Sequence, residues 1–151
     1  MNLRKNQKGF TIVELLIVVV VIAILAAISI VAYTGITNRA NRSAAMDSAA
    51  SVQSVALAYQ GANSSYPTTK ALFVSGGADP LARLPSDITF VTAAITAAPA
   101  NPKTVQVIPY PSATAPYSGF RIYYWDYISG AAAYMDAGLT TSTTATTGLA
   151  N

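Results

Sequence analysis

Residues 10–33 are predominantly apolar and carry a single charge, Glu14. Within them residues 15–28 (LLIVVVVIAILAAI) form an unbroken apolar run, and Ser29 interrupts only briefly before Ile30, Val31, Ala32 and Tyr33. At the helical rise of about 1.5 Å per residue this segment covers roughly 36 Å, enough for a hydrocarbon core of about 30 Å. The β-branched run Val18-Val19-Val20-Val21 is a mediocre helix former in water, but lipid offers the backbone no partners and enforces helix. Further along, Ala45, Ala49, Val52, Ala56 and Tyr59 recur at spacings of four and three, drawing one apolar stripe, with Arg39, Arg42 and Asp47 largely off it. No proline precedes Pro67, Gly35 is the only glycine between Phe10 and Gly61, and Gly61 suits a C-cap. One helix is therefore predicted over residues 10–60, roughly 75 Å long. Its first half is embedded in membrane and its second half packs a head.

The pattern then breaks. Pro67, Gly76-Gly77, Pro80 and Pro85 make residues 61–87 a loop, with a short helical turn at 70–74. Strand candidates follow at 88–93, 104–108, 119–125 and 131–135. The Pro-rich linkers TAAPANPK and PYPSATAPYS read as turns, and Ser129-Gly130 suits a hairpin between the last two strands. The expected fold is α+β, a long N-terminal helix on a small antiparallel sheet. Residues 139–151 are uncharged and Thr-rich, a final edge strand or, as composition favours, a solvated tail.

Composition narrows the function. Of 151 residues, 52% are hydrophobic and only 10% charged, against about a quarter charged in ordinary soluble domains. The chain is thus linked to membrane or buries much of itself in partners. Cysteine and histidine are both absent, which removes disulfides, metal sites of the usual Cys/His type, thiol nucleophiles and His-based general bases. The net charge of +3 comes wholly from Arg4, Lys5 and Lys8, because six basic and six acidic residues balance from Phe10 onward. A neutral body gives no electrostatic footprint for nucleic acid. The basic cluster instead places the amino end in the cytoplasm by the positive-inside rule, with the remainder exported. A cleaved secretory signal would have a shorter apolar stretch ending in an A-x-A-like site.

Glu14, taken alone, reads as an interfacial carboxylate favoured by the helix macrodipole. Its neighbourhood adds to that. Lys8-Gly9-Phe10-Thr11-Ile12-Val13-Glu14-Leu15-Leu16 closely resembles the class III signal of type IV prepilins, and the likeness extends over residues 8–28. The resemblance implies a leader at residues 1–9, cleavage by prepilin peptidase between Gly9 and Phe10, and N-methylation of Phe10. Residues 10–60 would be the pilin helix and residues 61–151 the head with its αβ loop, giving the ladle fold of that family. Many type IV pilins have a proline where this chain has Val31, so a melted segment there is not expected and the helix can stay continuous. Many also close the head with a disulfide, which is absent here. Cleavage creates a cationic amine at Phe10, and in a packed filament Glu14 of one subunit can pair with the Phe10 amine of its neighbour. A buried charge is tolerated when paired, so Glu14 would set the axial register.

The resemblance implies a structural subunit of a type IV pilus rather than an enzyme, serving adhesion, twitching motility or DNA uptake as a surface filament. Its partners would be further copies of itself in a helical homopolymer, prepilin peptidase, the inner-membrane assembly platform and, before assembly, membrane lipid, with minor pilins as candidates. A pseudopilin of a type II secretion or competence system is the alternative, and a membrane-anchored binding module that never polymerises ranks below it. No cofactor is implied. In the third strand candidate Phe120, Ile122 and Tyr124 share a core face, which leaves Arg121, Tyr123 and Trp125 outward. That outward set is expected to lie in a subunit interface, with a sugar- or surface-binding patch as the sharper alternative. Asp126 and Asp136 lack EF-hand-like spacing and read as solvated loop carboxylates rather than a calcium site.

Overall fold

In the computed structural model, residues 9–75, 83–110 and 117–138 are described. Helix α1 spans Ile12–Asn63 and α2 spans Lys70–Ser75. Four strands follow: β1 (Thr89–Phe90), β2 (Thr104–Tyr110), β3 (Gly119–Asp126) and β4 (Ala131–Gly138). They form one sheet in the order β1-β2-β3-β4. The chain divides into two compact units at the junction of Thr37 and Asn38.

In the first unit α1 is apolar on every side and exposed on every side, from Ile12 (85%) through Val20 (47%) to Val31 (73%). Its polar side chains satisfy themselves within the helix. Ser29 Oγ donates to the Leu25 carbonyl at 2.8 Å, and Thr34 Oγ1 to that of Val31 at 3.0 Å, bonds that hide a hydroxyl from lipid. The helix runs unbroken through Val31 and Gly35. By length and composition it is able to cross a membrane.

In the second unit the predicted stripe is the buried one. Ala45, Ala49, Val52 and Ala56 have no exposure, and Tyr59 is partly buried. The first four belong to one core cluster with Val105 and Val107 of β2, Phe120, Ile122 and Tyr124 of β3, and Ala137 of β4. Phe120 is the hub, with ring centroids of Tyr66, Phe73 and Tyr117 at 5.5, 5.7 and 5.6 Å. Gln53 Nε2 reaches from α1 to the Asp136 carbonyl at 2.6 Å and ties the helix to the edge strand.

Three expectations are corrected. The sheet is mixed, because β1 pairs with β2 in parallel (Thr89↔Thr104, Phe90↔Val105), while β2–β3 and β3–β4 are antiparallel. Parallel neighbours need a crossover of a dozen residues or more, and residues 91–103 supply that length where a plain turn was expected. The first strand shrinks to two residues. After Val91 N–H donates to Val105 O at 3.0 Å the chain leaves the sheet. The helix also passes Gly61 and ends at Asn63, whose Nδ2 donates to the Tyr59 carbonyl at 3.0 Å. Ser64, with φ of 53°, takes the left-handed position that glycine was expected to fill. Residues 76–82, 111–116 and 139–151 lie outside the described residues, and with them Gly76-Gly77, most of the PYPSATAPYS linker and the Thr-rich segment.

Candidate functional site

Gly9 and Phe10 precede the helix in non-helical backbone and are both exposed, Phe10 at 90%. A Cβ built on Gly9 would meet nothing within 4 Å, so packing within the chain does not require glycine there. The peptide bond between them therefore stands free of secondary structure.

The helix start has a specific construction. Thr11 is the N-cap, and Glu14 sits three residues on. Thr11 N–H and Thr11 Oγ1 both donate to Glu14 Oε2, at 2.8 and 2.7 Å, while Glu14 N–H donates back to Thr11 Oγ1 at 3.2 Å. This is a reciprocal capping box, which satisfies otherwise orphaned backbone donors. It also fixes the direction of the Glu14 carboxylate. Both of these bonds fall on Oε2, which leaves Oε1 to other donors. Beside it lies an apolar depression of about 500 Å3 lined by Phe10, Glu14, Leu15, Ile17 and Val18, with Glu14 the one charged group on its wall among the described residues. The T-x-x-E spacing was legible as a capping signature, yet Thr11 escapes a reading that treats Glu14 only as an isolated charge.

On the outer face of β3, Arg121, Tyr123 and Trp125 are each half-buried. The antiparallel register sets Arg121 opposite Asp136 and Tyr123 opposite Tyr134. Arg121 makes a bidentate pair with Asp136, Nε to Oδ1 at 2.8 Å and Nη2 to Oδ2 at 3.0 Å. Its guanidinium also lies 4.1 Å from the Tyr134 ring centroid and 5.5 Å from that of Tyr110. The hydrogen bonds it donates to Asp136 push the Arg121 pKa further up, so this charge is permanent. Tyr134, whose ring lies 5.7 Å from that of Tyr123, completes a patch that strand alternation alone does not reveal.

The two aspartates are not solvated loop groups. Asp136 is the Arg121 partner within β4. Asp126 caps the β3–β4 turn, accepting from Ile128 N–H at 2.9 Å and Ser129 N–H at 3.4 Å, and its Oδ1 lies 3.3 Å from Arg42 Nε of α1. The Arg42 contact is an ion pair without hydrogen-bond geometry. The Ile128 N–H first, then that of Ser129 and the Arg42 charge, hold the Asp126 carboxyl below its ordinary value against the opposing effect of burial. Among the described residues no group of three or more Asp or Glu is placed to hold a metal ion.

No curated protein and no solved structure matches the chain. Residues 4–30 match the family model of the prokaryotic N-terminal methylation motif. That stretch contains the free Gly9–Phe10 bond, the Thr11–Glu14 capping box and most of the exposed apolar helix. The chain carries the type IV prepilin-like signal.

Proposed function

We propose that this chain is a structural subunit of a type IV pilus. Prepilin peptidase hydrolyses the Gly9–Phe10 bond, leaving a carboxylate on Gly9 and an ammonium on Phe10; the Phe10 amine then gives up one proton and takes a methyl group from an external methyl donor, so its charge is kept. The mature subunit waits in the membrane with its head outside and is drawn by the assembly platform into a helical homopolymer. The observation that carries this reading is the exposed apolar first unit with Glu14 anchored at its start. A contiguous apolar surface of that size demands lipid or other protein around it. Equivalent helices of further copies replace lipid with little change in burial.

Glu14 then becomes the selective element. Thr11 holds the carboxylate in place, and the methylated amine of Phe10 on a neighbouring copy neutralises it. A stagger that misses this pairing buries two unpaired charges, which is heavily penalised. Adhesion, twitching motility or DNA uptake would be properties of the assembled fibre. The direct test expresses Glu14→Ala as the sole subunit. The expected result is a processed, membrane-inserted protein with few or no fibres. Fibres as abundant as those of the unaltered chain would show that Glu14 sets no register.

A further inference from the structure

Among the described residues of the second unit, six charges form three ion pairs. Arg42 faces Asp126, Arg121 holds Asp136, and Lys103 pairs with Asp87. Among the described residues Arg39 and Asp47 do not pair. Both are exposed and both lie on α1, and the Asp47 carboxylate receives only a 3.5 Å hydrogen bond from Ser43 Oγ. Arg83 is also exposed without an ion pair, but Arg39 and Asp47 share one rigid helix, so their spacing is fixed. Asp47 opens onto a groove of about 410 Å3. On one wall the groove is lined from α1 by Ala40, Ser43, Ala44, Ser48 and Ser51 beside Asp47. The other wall is formed by Pro85, Ile88 and the Asp87–Lys103 pair. Two carboxylates and one ammonium leave that groove with one negative charge in excess.

We infer that this groove is a subunit–subunit contact whose occupant is the Arg39 region of a second copy, with Arg39 of one copy paired to Asp47 of the next. The inference rests on the filament reading above. Eight residues of helix separate the two charges by about 12 Å along the axis and about 80° around it. They therefore lie on different patches. A contact joining different patches of identical copies is heterologous and propagates instead of closing into a dimer. Copies anchored by the same apolar segment in one membrane run parallel, so the pairing fixes a stagger of about 12 Å between the two copies concerned. A helical array gives each copy several neighbours, and this pair and the Glu14–Phe10 pair act between different ones.

The absence of cysteine makes the test clean. Fibres of the full chain carrying both Arg39→Cys and Asp47→Cys are treated with a short bismaleimide and run under denaturing conditions. The expected result is a ladder of dimers, trimers and higher multimers, absent from either single variant. Dimers alone would indicate an antiparallel closed pair and overturn the inference, as would monomers only. Charge reversal gives an independent readout. Arg39→Asp or Asp47→Arg singly should cut fibre yield by about tenfold or more, the cost of roughly 1.4 kcal/mol per contact, and the double exchange should restore it. Normal yield from both single variants, or no recovery in the double, would also overturn it. If the unaltered chain forms no fibres at all, the pilus reading itself fails. Fibres without the ladder defeat only this contact.

Discussion

Replacing Gly138 with alanine isolates how the edge strand closes over the core. Gly138 has φ of 84°, and a Cβ there would fall 2.7 Å from the Ser118 carbonyl oxygen, 2.8 Å from Tyr66 Cζ, and closer still to the Tyr66 hydroxyl. Tyr66 cannot retreat easily, since it is buried and packs edge-on against Phe120. The left-handed backbone costs a non-glycine residue about 1–2 kcal/mol, and forcing an extra carbon into packed surroundings adds about 1–3 kcal/mol. Gly130 serves as the control. Its φ is also positive, at 67°, but a Cβ there meets nothing within 4 Å, so Gly130→Ala carries the backbone cost alone. Thermal unfolding of the full chain in detergent, followed by near-UV circular dichroism, should show Gly138→Ala losing roughly twice as much midpoint temperature as Gly130→Ala. For a unit of this size about 1 kcal/mol corresponds to roughly 4 °C. In a Tyr66→Phe background the Gly138→Ala penalty should shrink, because the nearest obstructing atom is gone, without vanishing. Equal losses for the two glycines, or a penalty unchanged by Tyr66→Phe, would show that Tyr66 does not obstruct position 138.

Three further outcomes follow from the same geometry. Asp136→Ala strands the half-buried Arg121 and should cost about 1–3 kcal/mol. The double change Arg121→Met with Asp136→Leu removes both charges and should recover much of that loss in the same unfolding measurement. Asp126 has its folded pKa depressed below the ordinary 3.8, so its contribution is complete above that value and disappears as pH falls through the depressed one. The unfolding midpoint should drop over that acid range, and Asp126→Asn should flatten the drop. Gly9→Val meets no obstruction within the chain, so it should leave the circular dichroism spectrum unchanged while uncut precursor accumulates on an immunoblot. A normally processed product would argue against cleavage after Gly9.

The helical part of the fold was legible because its signals are local. Stripe spacing at Ala45, Ala49, Val52 and Ala56 names the buried face, and the alternation of Phe120, Ile122 and Tyr124 names the core face of β3. The end of α1 was less legible, since Ser64 takes a conformation usually left to glycine and the helix continues past Gly61. The parallel placement of β1 depends on the path of residues 91–103, where Asn101 Nδ2 donates to the Asp87 carbonyl and Thr89 Oγ1. No periodicity encodes that path. The Arg121–Asp136 clamp depends on strand register, which brings together residues fifteen apart in sequence. Glu14 was legible from its surroundings. The role of Thr11 lay in a spacing of three and needed the hydrogen-bond geometry to be seen.

On the pilus reading the chain is cut after Gly9, methylated at Phe10 and built into a surface fibre. Intact mass of protein sheared mechanically from the cell surface tests it most directly. The expected species begins at Phe10, carries one added methyl group and is enriched in the sheared fibres. The same processed mass confined to membranes would support a pseudopilin instead, and a mass that retains residues 1–9 would contradict that reading outright.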